Sequence, residues 1–347
     1  DVYKRQVLLG TLPPWGFTNP PVSLAHLAGY ARSKGYGVDV LDMNVDLYHR
    51  LGREWEHLWH VENKNYWSNE STFDLLLELL GPHLDWYADL IARHPASLVG
   101  LSVVDPKERC TIELIKRVKE RAPEKVFLLG GPACMTTEYR RIFTDQIPDQ
   151  IAGYALGEGE QILCDAIEVV RRGGDLAEIP GLLCHRHGDL EVRRRERLLP
   201  LDRVPFPGYE DFELERYPGD ELIVEWSRGC VGSCTFCKGK MIDGKYRVHS
   251  AQAIYEAMRH YKEWLGLSKF TVCDPVLNGD VEVLEQLCRL FVDKELQIEW
   301  RGEVIPHAGL TPELAQLMAD AGCTELQLGI ESASNTVLEV MKKKRMF

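Results

Sequence analysis

The chain has 347 residues, 45% of them hydrophobic and 27% charged, with a net charge of −12. Those proportions suit a globular protein of about two domains and argue against a general nucleic-acid-binding surface. No apolar run is long enough to span a bilayer, and no signal peptide opens the chain. Ten cysteines, several inside apolar segments, do not form a secreted disulfide framework, so a reducing cytoplasm is the expected compartment. A start at Asp1 and a stop at Phe347 inside a helical pattern are what a fragment would show.

In chain order, short apolar runs alternate with helical patterns over residues 1–200. Val7 to Leu9 reads as a strand. PPVSLAHLAGYARSKG (20–35) follows as a helix with Leu24, Leu27, Ala28 and Ala31 at helical spacing, and Gly35 as its stop. VDVLDMN (38–44), SLVGLSVV (97–104), a helix over Cys110 to Arg121, KVFLLGG (125–131) and QIAGYALGEGE (150–160) continue the rhythm. Strand and helix in this order predict a doubly wound, flavodoxin-like parallel sheet of the Rossmann-like class. Such sheets bind ligands at the carboxyl ends of their strands. The residues expected there are Pro13, Asn44, Ser102, Gly130, Gly131 and Gly157, Glu158, Gly159 and Glu160.

Residues 45–97 form an insertion too long for a plain loop, carrying Trp55, Trp59, Trp67, Phe73, Trp86 and Tyr87. Trp55 and Trp59 are spaced to share one helix face. The favoured reading is helices packed on the sheet, with an aromatic lid over a substrate as the alternative. Cys110, Cys134 and Cys164 fall where single buried cysteines are common. GLLCHRHGDLEVRR (181–194) predicts a hairpin around His187-Gly188-Asp189 with a solvated basic edge at 192–197, and Pro205, Pro207 and Pro218 mark a linker over 201–220.

The second domain, 221–347, opens with ELIVEW (221–226) and then RGCVGSCTFCKGK (228–240). Cys230, Cys234 and Cys237 stand as C-x-x-x-C-x-x-C, with Gly229 and Gly232 allowing tight turns. Thiolates this close on one loop can converge on a small centre, and zinc and iron–sulfur are the soft choices. Structural zinc wants four ligands, and His249 is the nearest fourth. A four-iron cubane can be held by three, leaving one iron for a small molecule. On spacing alone, cluster, zinc loop and disulfide knot all remain open.

Including the strand ahead of the loop, the domain contains four strand–helix units. Ser250, Asp280 and Thr311-Pro312 open helices after the loop, KFTVCD (269–274), QIEWRGE (297–303) and ELQLGIES (325–332) are strands, and one more helix lies behind. The strands carry a polar line (Glu225, Ser227; Glu299, Arg301, Glu303; Gln327, Glu331) where a fully covered parallel sheet would be apolar. That pattern predicts a curved sheet with a cavity inside it, lined by Arg301 and Glu303 either as a structural ion pair or as contacts to a ligand. His249 and His307 read as loop histidines.

The cysteine loop after the first strand, FTVCDPVLNGD (270–280), the tryptophan-bearing third strand and AGCTELQLGIESAS (321–334) together resemble the radical SAM enzymes. With GGP (130–132) and LGEGE (156–160) in the preceding domain, the whole resembles the cobalamin-dependent radical SAM family. The resemblance implies a partial (β/α)6 barrel, truncated at its C-terminal end. It implies a [4Fe–4S] cluster on Cys230, Cys234 and Cys237, whose open iron binds S-adenosylmethionine and whose electron releases a 5′-deoxyadenosyl radical. By the same resemblance Phe236 packs near the adenine, Asp274 and Asn278 face the methionine end, and Glu331 and Ser332 face the ribose or amino group. Asp274 departs from the family's usual glutamate. Ser102, Gly130, Gly131, Gly157, Glu158 and Gly159 would face cobalamin, although VVDPKERC (103–110) lacks the histidine of D-x-H-x-x-G. The implied reaction is methyl transfer to an unactivated carbon of a small-molecule, lipid or peptide substrate, with a flavodoxin- or ferredoxin-like reductant. A radical cyclase or rearrangement catalyst is the alternative enzyme, and a non-catalytic iron–sulfur or zinc module the alternative of another class. A second cluster on Cys110, Cys134 and Cys164, as in methylthiotransferases, is disfavoured.

Overall fold

The computed structural model describes residues 6–14, 16–186, 189–191, 200–237 and 244–343. It divides into two compact units, Asp1–Arg197 with Pro207–Pro218, and Leu198–Phe206 with Gly219–Phe347. The stretch expected as a linker is thus shared between them. The turn at His187-Gly188 and the basic stretch 192–197 lie outside the described residues.

The first unit is built on a seven-stranded sheet in the order β2-β1-β3-β4-β5-β6-β7. Its strands are β1 (Gln6–Thr11), β2 (Gly37–Asp42), β3 (Leu98–Ser102), β4 (Val126–Gly130), β5 (Ile151–Ala155), β6 (Leu182–Arg186) and β7 (Asp189–Glu191). The first five are parallel, and β6 and β7 add an antiparallel hairpin, as the alternation around Asp189 predicts. Helices α1 (Val22–Ser33), α2 (Met43–Leu51), α3 (Asn65–Ser68), α4 (Glu70–Arg93), α5 (Glu108–Arg121), α6 (Thr137–Gln146) and α7 (Glu160–Arg172) connect them. The order 2-1-3-4-5 is flavodoxin-like, and the chain reverses direction across the sheet between β1 and β3.

The 45–97 insertion packs as structure rather than as a lid. Trp59, Trp67, Phe73 and Tyr87 are buried in the same core as Leu8, Val99 and Phe127. The indole N–H of Trp59 donates to Asn44 Oδ1 at 2.7 Å, and that of Trp67 to the Leu58 carbonyl at 2.8 Å. Each large side chain buried this way contributes about 1.5–3 kcal/mol. The α-helical face expected for Trp55 and Trp59 is not formed, because Arg53–Trp59 is a 3₁₀ helix. In that tighter spiral residues four apart diverge, so Trp59 is buried and Trp55 only half-buried.

The second unit holds a four-stranded parallel sheet, β13-β12-β11-β8, and a separate two-stranded ribbon, β9-β10. The strands are β8 (Leu222–Val224), β9 (Ser227–Arg228), β10 (Arg247–Val248), β11 (Lys269–Val272), β12 (Glu299–Val304) and β13 (Cys323–Leu328). Helices α8 (Ala251–Leu265), α9 (Val281–Asp293), α10 (Pro312–Asp320) and α11 (Asn335–Val340) complete four strand–helix units. The expected caps are present: Ser250, Asp280 and Thr311 accept from the N–H of Ala253, Val283 and Leu314. Trp226 and Trp300 pack at 5.2 Å between ring centroids, and the Trp300 indole donates to the Ala321 carbonyl at 2.9 Å.

The polar line exists with different partners. Arg301 donates to Thr271 Oγ1 at 2.8 Å and to Glu221 Oε1 at 2.6 Å, with Glu325 at 3.8 Å. Thr271, Arg301 and Glu325 are register neighbours across β11, β12 and β13, so their side chains share one face. The pair expected between Arg301 and Glu303 is replaced by this row, because side chains two apart on a strand are farther apart than cross-strand neighbours.

Gly322 gives the sharpest backbone test. It has φ +89°, and a Cβ there would overlap the Ile298 carbonyl oxygen. Gly266 also has positive φ (+67°) but faces open space. Both alanine variants meet a backbone strain of about 1–3 kcal/mol, and only Gly322→Ala adds a clash with backbone. Denaturant unfolding should therefore show Gly322→Ala to be clearly less stable than Gly266→Ala. Equal midpoints would contradict the packing.

Candidate functional site

The cysteine loop leaves β9 and returns along β10, whose antiparallel pairing closes its base. Cys230 bridges to Lys245 just beyond the ribbon. Gly229 has φ +80°, and a Cβ there would overlap the Lys245 carbonyl. It is the residue that lets the loop close. Gly232 does something else: a Cβ at that position would lie 3.5 Å from Cys230 Sγ and 3.7 Å from Cys234 Sγ. Both sulfurs therefore stand around one bare glycine. The Gly232 N–H points at Cys230 Sγ (3.3 Å), and the Cys237 N–H donates to the Cys234 carbonyl (3.3 Å). None of the ten cysteines forms a disulfide. Phe236 is 53% exposed beside Cys237.

Burial raises the Cys234 thiol pKa, and the charge of Lys343 opposes that rise. Three soft thiols on one loop clasped at its base fit a cluster by the chemistry of the donor set. Among the described residues no group of three His, Cys, Asp or Glu is drawn tightly enough for a single metal ion. A cubane is larger than one ion and holds its ligands further apart. His249, the candidate fourth ligand, is buried, engages Asp202 through Nδ1 at 3.1 Å and stacks on Phe206 at 4.3 Å. Burial lowers its pKa to about 4. It is a structural histidine, as His307 is a loop one, accepting from the Gly309 N–H at 3.0 Å.

The strand ends beside this loop are braced by two of the residues singled out. Asp274, 2% exposed, accepts the Trp226 N–H at 2.8 Å. Asn278 donates to the Ile305 carbonyl at 2.7 Å and accepts the Ile305 N–H at 3.0 Å. Glu331 follows β13 with φ +51° and pairs with Lys343; Ser332 comes next and its hydroxyl accepts the Ser334 N–H at 3.1 Å. Cys230, Cys234, Cys237, Phe236, Glu331 and Lys343 thus belong to one end of this unit, while Asp274 and Asn278 tie its strands together.

In the first unit, Ser102, Gly130, Gly131 and the 157–159 loop all lie at the carboxyl end of the sheet. Ser102 Oγ meets Ser23 Oγ at 3.2 Å. Gly131 has φ +94° and would place a Cβ 2.6 Å from the Val103 carbonyl, so packing alone explains it. Gly157 (φ +90°) is exposed, with open space where a Cβ would stand and its N–H directed at Met135 Sδ at 3.2 Å. Glu158 precedes Gly159, the N-cap of α7. Cys110, Cys134 and Cys164 are buried thiols whose pKa burial raises to about 12.

Two buried charged residues at this edge are invisible in the sequence. Lys107 donates to Thr11 Oγ1 at 2.9 Å; burial lowers its pKa to about 8, against the pull of Asp42. Glu108, 4% exposed, has an Oε1 with no hydrogen-bond partner among the described residues, and burial raises its pKa to about 7. In VVDPKERC both look like ordinary solvated loop charges. An orphaned buried oxygen and an exposed glycine at the strand ends fit a bound polar cofactor there.

Residues 224–347 match the sequence profile of the Radical SAM superfamily. This unit is a radical SAM domain. The full chain is similar to an uncharacterized methyltransferase of Pyrococcus horikoshii, 26% identical over 98% of this chain and 68% of the relative. It superposes with a TM-score of 0.75 on TsrM of Kitasatospora setae, a radical S-adenosylmethionine methyltransferase solved with tryptophan and a SAM analogue (18% identity; 99% of this chain, 63% of that one). With OxsB, a cobalamin-dependent radical enzyme solved with aqua-cobalamin and S-adenosylmethionine, the TM-score is 0.74 (20% identity; 98% and 46%). Residues 224–347 thus carry a radical SAM domain, and the chain as a whole shares its fold with these two radical enzymes. It spans about half to two thirds of the length of these proteins.

Asp274 carries a pH signature. Burial raises its pKa to about 7, whereas in an unfolded chain it is about 3.9. The native state therefore holds a proton that the unfolded state releases, and the resulting stability is full below about pH 4 and is lost as pH rises to about 7. Relative to Asp274→Asn, the wild type should lose stability across that interval in urea unfolding. A difference that stays constant with pH would contradict the buried carboxyl.

Proposed function

We propose that the chain is the catalytic part of a cobalamin-dependent radical SAM methyltransferase acting on an unactivated carbon. The observation that carries this is the closed loop presenting Cys230, Cys234 and Cys237 on a radical SAM domain, with no fourth cysteine in RGCVGSCTFCKGK. In this reading the three thiolates hold a [4Fe–4S] cluster. The cluster and S-adenosylmethionine supply a 5′-deoxyadenosyl radical, and methylcobalamin supplies the methyl group.

The chain's own residues bind, orient and exclude water. Phe236, exposed beside the last cysteine, is available to cover the adenine. Glu331 and Ser332 face the amino or ribose side of S-adenosylmethionine. Asp274 and Asn278 act on it through the strand ends they brace, since both spend polar atoms on backbone. In the first unit, Ser102, Gly130, Gly131, Gly157, Glu158 and Gly159 line the cobalamin edge, with Gly157 exposed there.

The substrate class is a small molecule, lipid or peptide, and the electron donor a small flavodoxin- or ferredoxin-type protein. Ten thiols free of disulfides suit a reducing cytoplasm. Among the described residues no helix is long and apolar enough to cross a membrane.

Cys234→Ala tests the assignment. Reconstituted without oxygen, it should lose bound iron and sulfide, and release of 5′-deoxyadenosine should fall to background while the far-UV spectrum is unchanged. Release that survives the substitution would refute the three-thiolate cluster.

A further inference from the structure

After α11 the chain turns back onto the cysteine loop. The Met341 carbonyl accepts the Thr235 N–H at 2.9 Å, in the middle of the segment between Cys234 and Cys237. Lys343, two residues on, pairs with Glu331, and its side chain is only 10% exposed. Its Nζ would stand 3.3 Å from a Cβ on Gly329, so the ammonium lies over the backbone that follows β13.

Fold stability is a weak reason for this arrangement. A half-buried ion pair is largely offset by its desolvation, and a lysine this sheltered is uncommon unless paired to a purpose. The glutamate also sits on a left-handed backbone (φ +51°), which a merely structural pair would not require.

We propose that Lys343 is a positioning residue that supplies the counter-charge of the cysteine loop, holding Glu331 in place and favouring the reduced state of the cluster. The proposal rests on the reading of the loop as a [4Fe–4S] site. A cluster held by three thiolates is anionic, and the electron it accepts from the donor protein makes it more so. A fixed cation in a sheltered site stabilises that extra charge. Glu331, of opposite sign, tempers the effect.

The test is a dye-mediated potentiometric titration of the anaerobically reconstituted full chain, followed by electron paramagnetic resonance, with iron and sulfide assayed in parallel. At the wild-type midpoint, Lys343→Met should lower the ratio of reduced to oxidised cluster about tenfold, which is about 59 mV for a one-electron couple. Lys343→Arg should stay within about twofold, and Glu331→Gln should move the ratio the other way. A Lys343→Met protein that loads no cluster while Lys343→Arg loads fully also supports the charge.

A filled Lys343→Met cluster titrating with the wild type would overturn the proposal. So would Met and Arg variants that lose the cluster alike, or a Glu331→Gln shift in the same direction as Lys343→Met. Wild-type protein that takes up no iron and sulfide would instead sink the functional reading, and this proposal with it.

Discussion

Three thiolates on one short loop can serve one centre only if the loop's two ends are held together. Here that constraint falls on β9 and β10, two residues each, and on Gly229, where any side chain would collide with the returning strand. The rest of the second unit follows from keeping this clasp in register. Trp226 lies between β8 and β9, and its carbonyl accepts the His249 N–H (3.0 Å) just past β10. Its own N–H is taken by the buried Asp274 at the end of β11. Asn278 then carries the tie to the segment beyond β12. The clasp is thus tied to the segments beside β10, β11 and β12 by one backbone bond and by the side chains of Asp274 and Asn278, both buried residues whose lost partners would be expensive.

The same logic explains why the second unit tolerates so many polar groups on its sheet. Thr271, Arg301 and Glu325 lie in one register row, and Glu221 completes it at the edge of β8. A polar row that satisfies itself keeps a sheet face open without leaving unpaired donors. In the first unit the insertion's aromatic residues instead add to one hydrophobic core.

Much of this is legible in the sequence because the signals are local. Helix starts at Ser250, Asp280 and Thr311, the parallel rhythm of both sheets and the cysteine spacing depend on neighbours within a few residues. Expectation and structure part where distance along the chain hides the partner. Arg301 has Glu303 two residues away, yet its closest carboxylate is Glu221, 80 positions earlier. His249 has the right chemistry for a metal, but Asp202 and Phe206, from a stretch with the look of a linker, occupy it. Lys107 and Glu108 have the look of loop charges, and only the folded chain buries them. Trp55 and Trp59 have α-helical spacing in a segment that winds as 3₁₀. Glycines at strand ends all look alike as ligand approaches in the sequence; Gly131 is needed by Val103, whereas Gly157 is left open.

The measurement that bears most directly on the account is cofactor occupancy of the whole chain. The protein would be purified and reconstituted without oxygen in the presence of iron, sulfide and cobalamin, then assayed for metal and read by its visible spectrum. A radical SAM protein with a working cobalamin domain should retain about four irons together with stoichiometric cobalamin. A filled cluster on a chain that retains no cobalamin would contradict the two-cofactor methyltransferase and leave only the radical SAM domain standing.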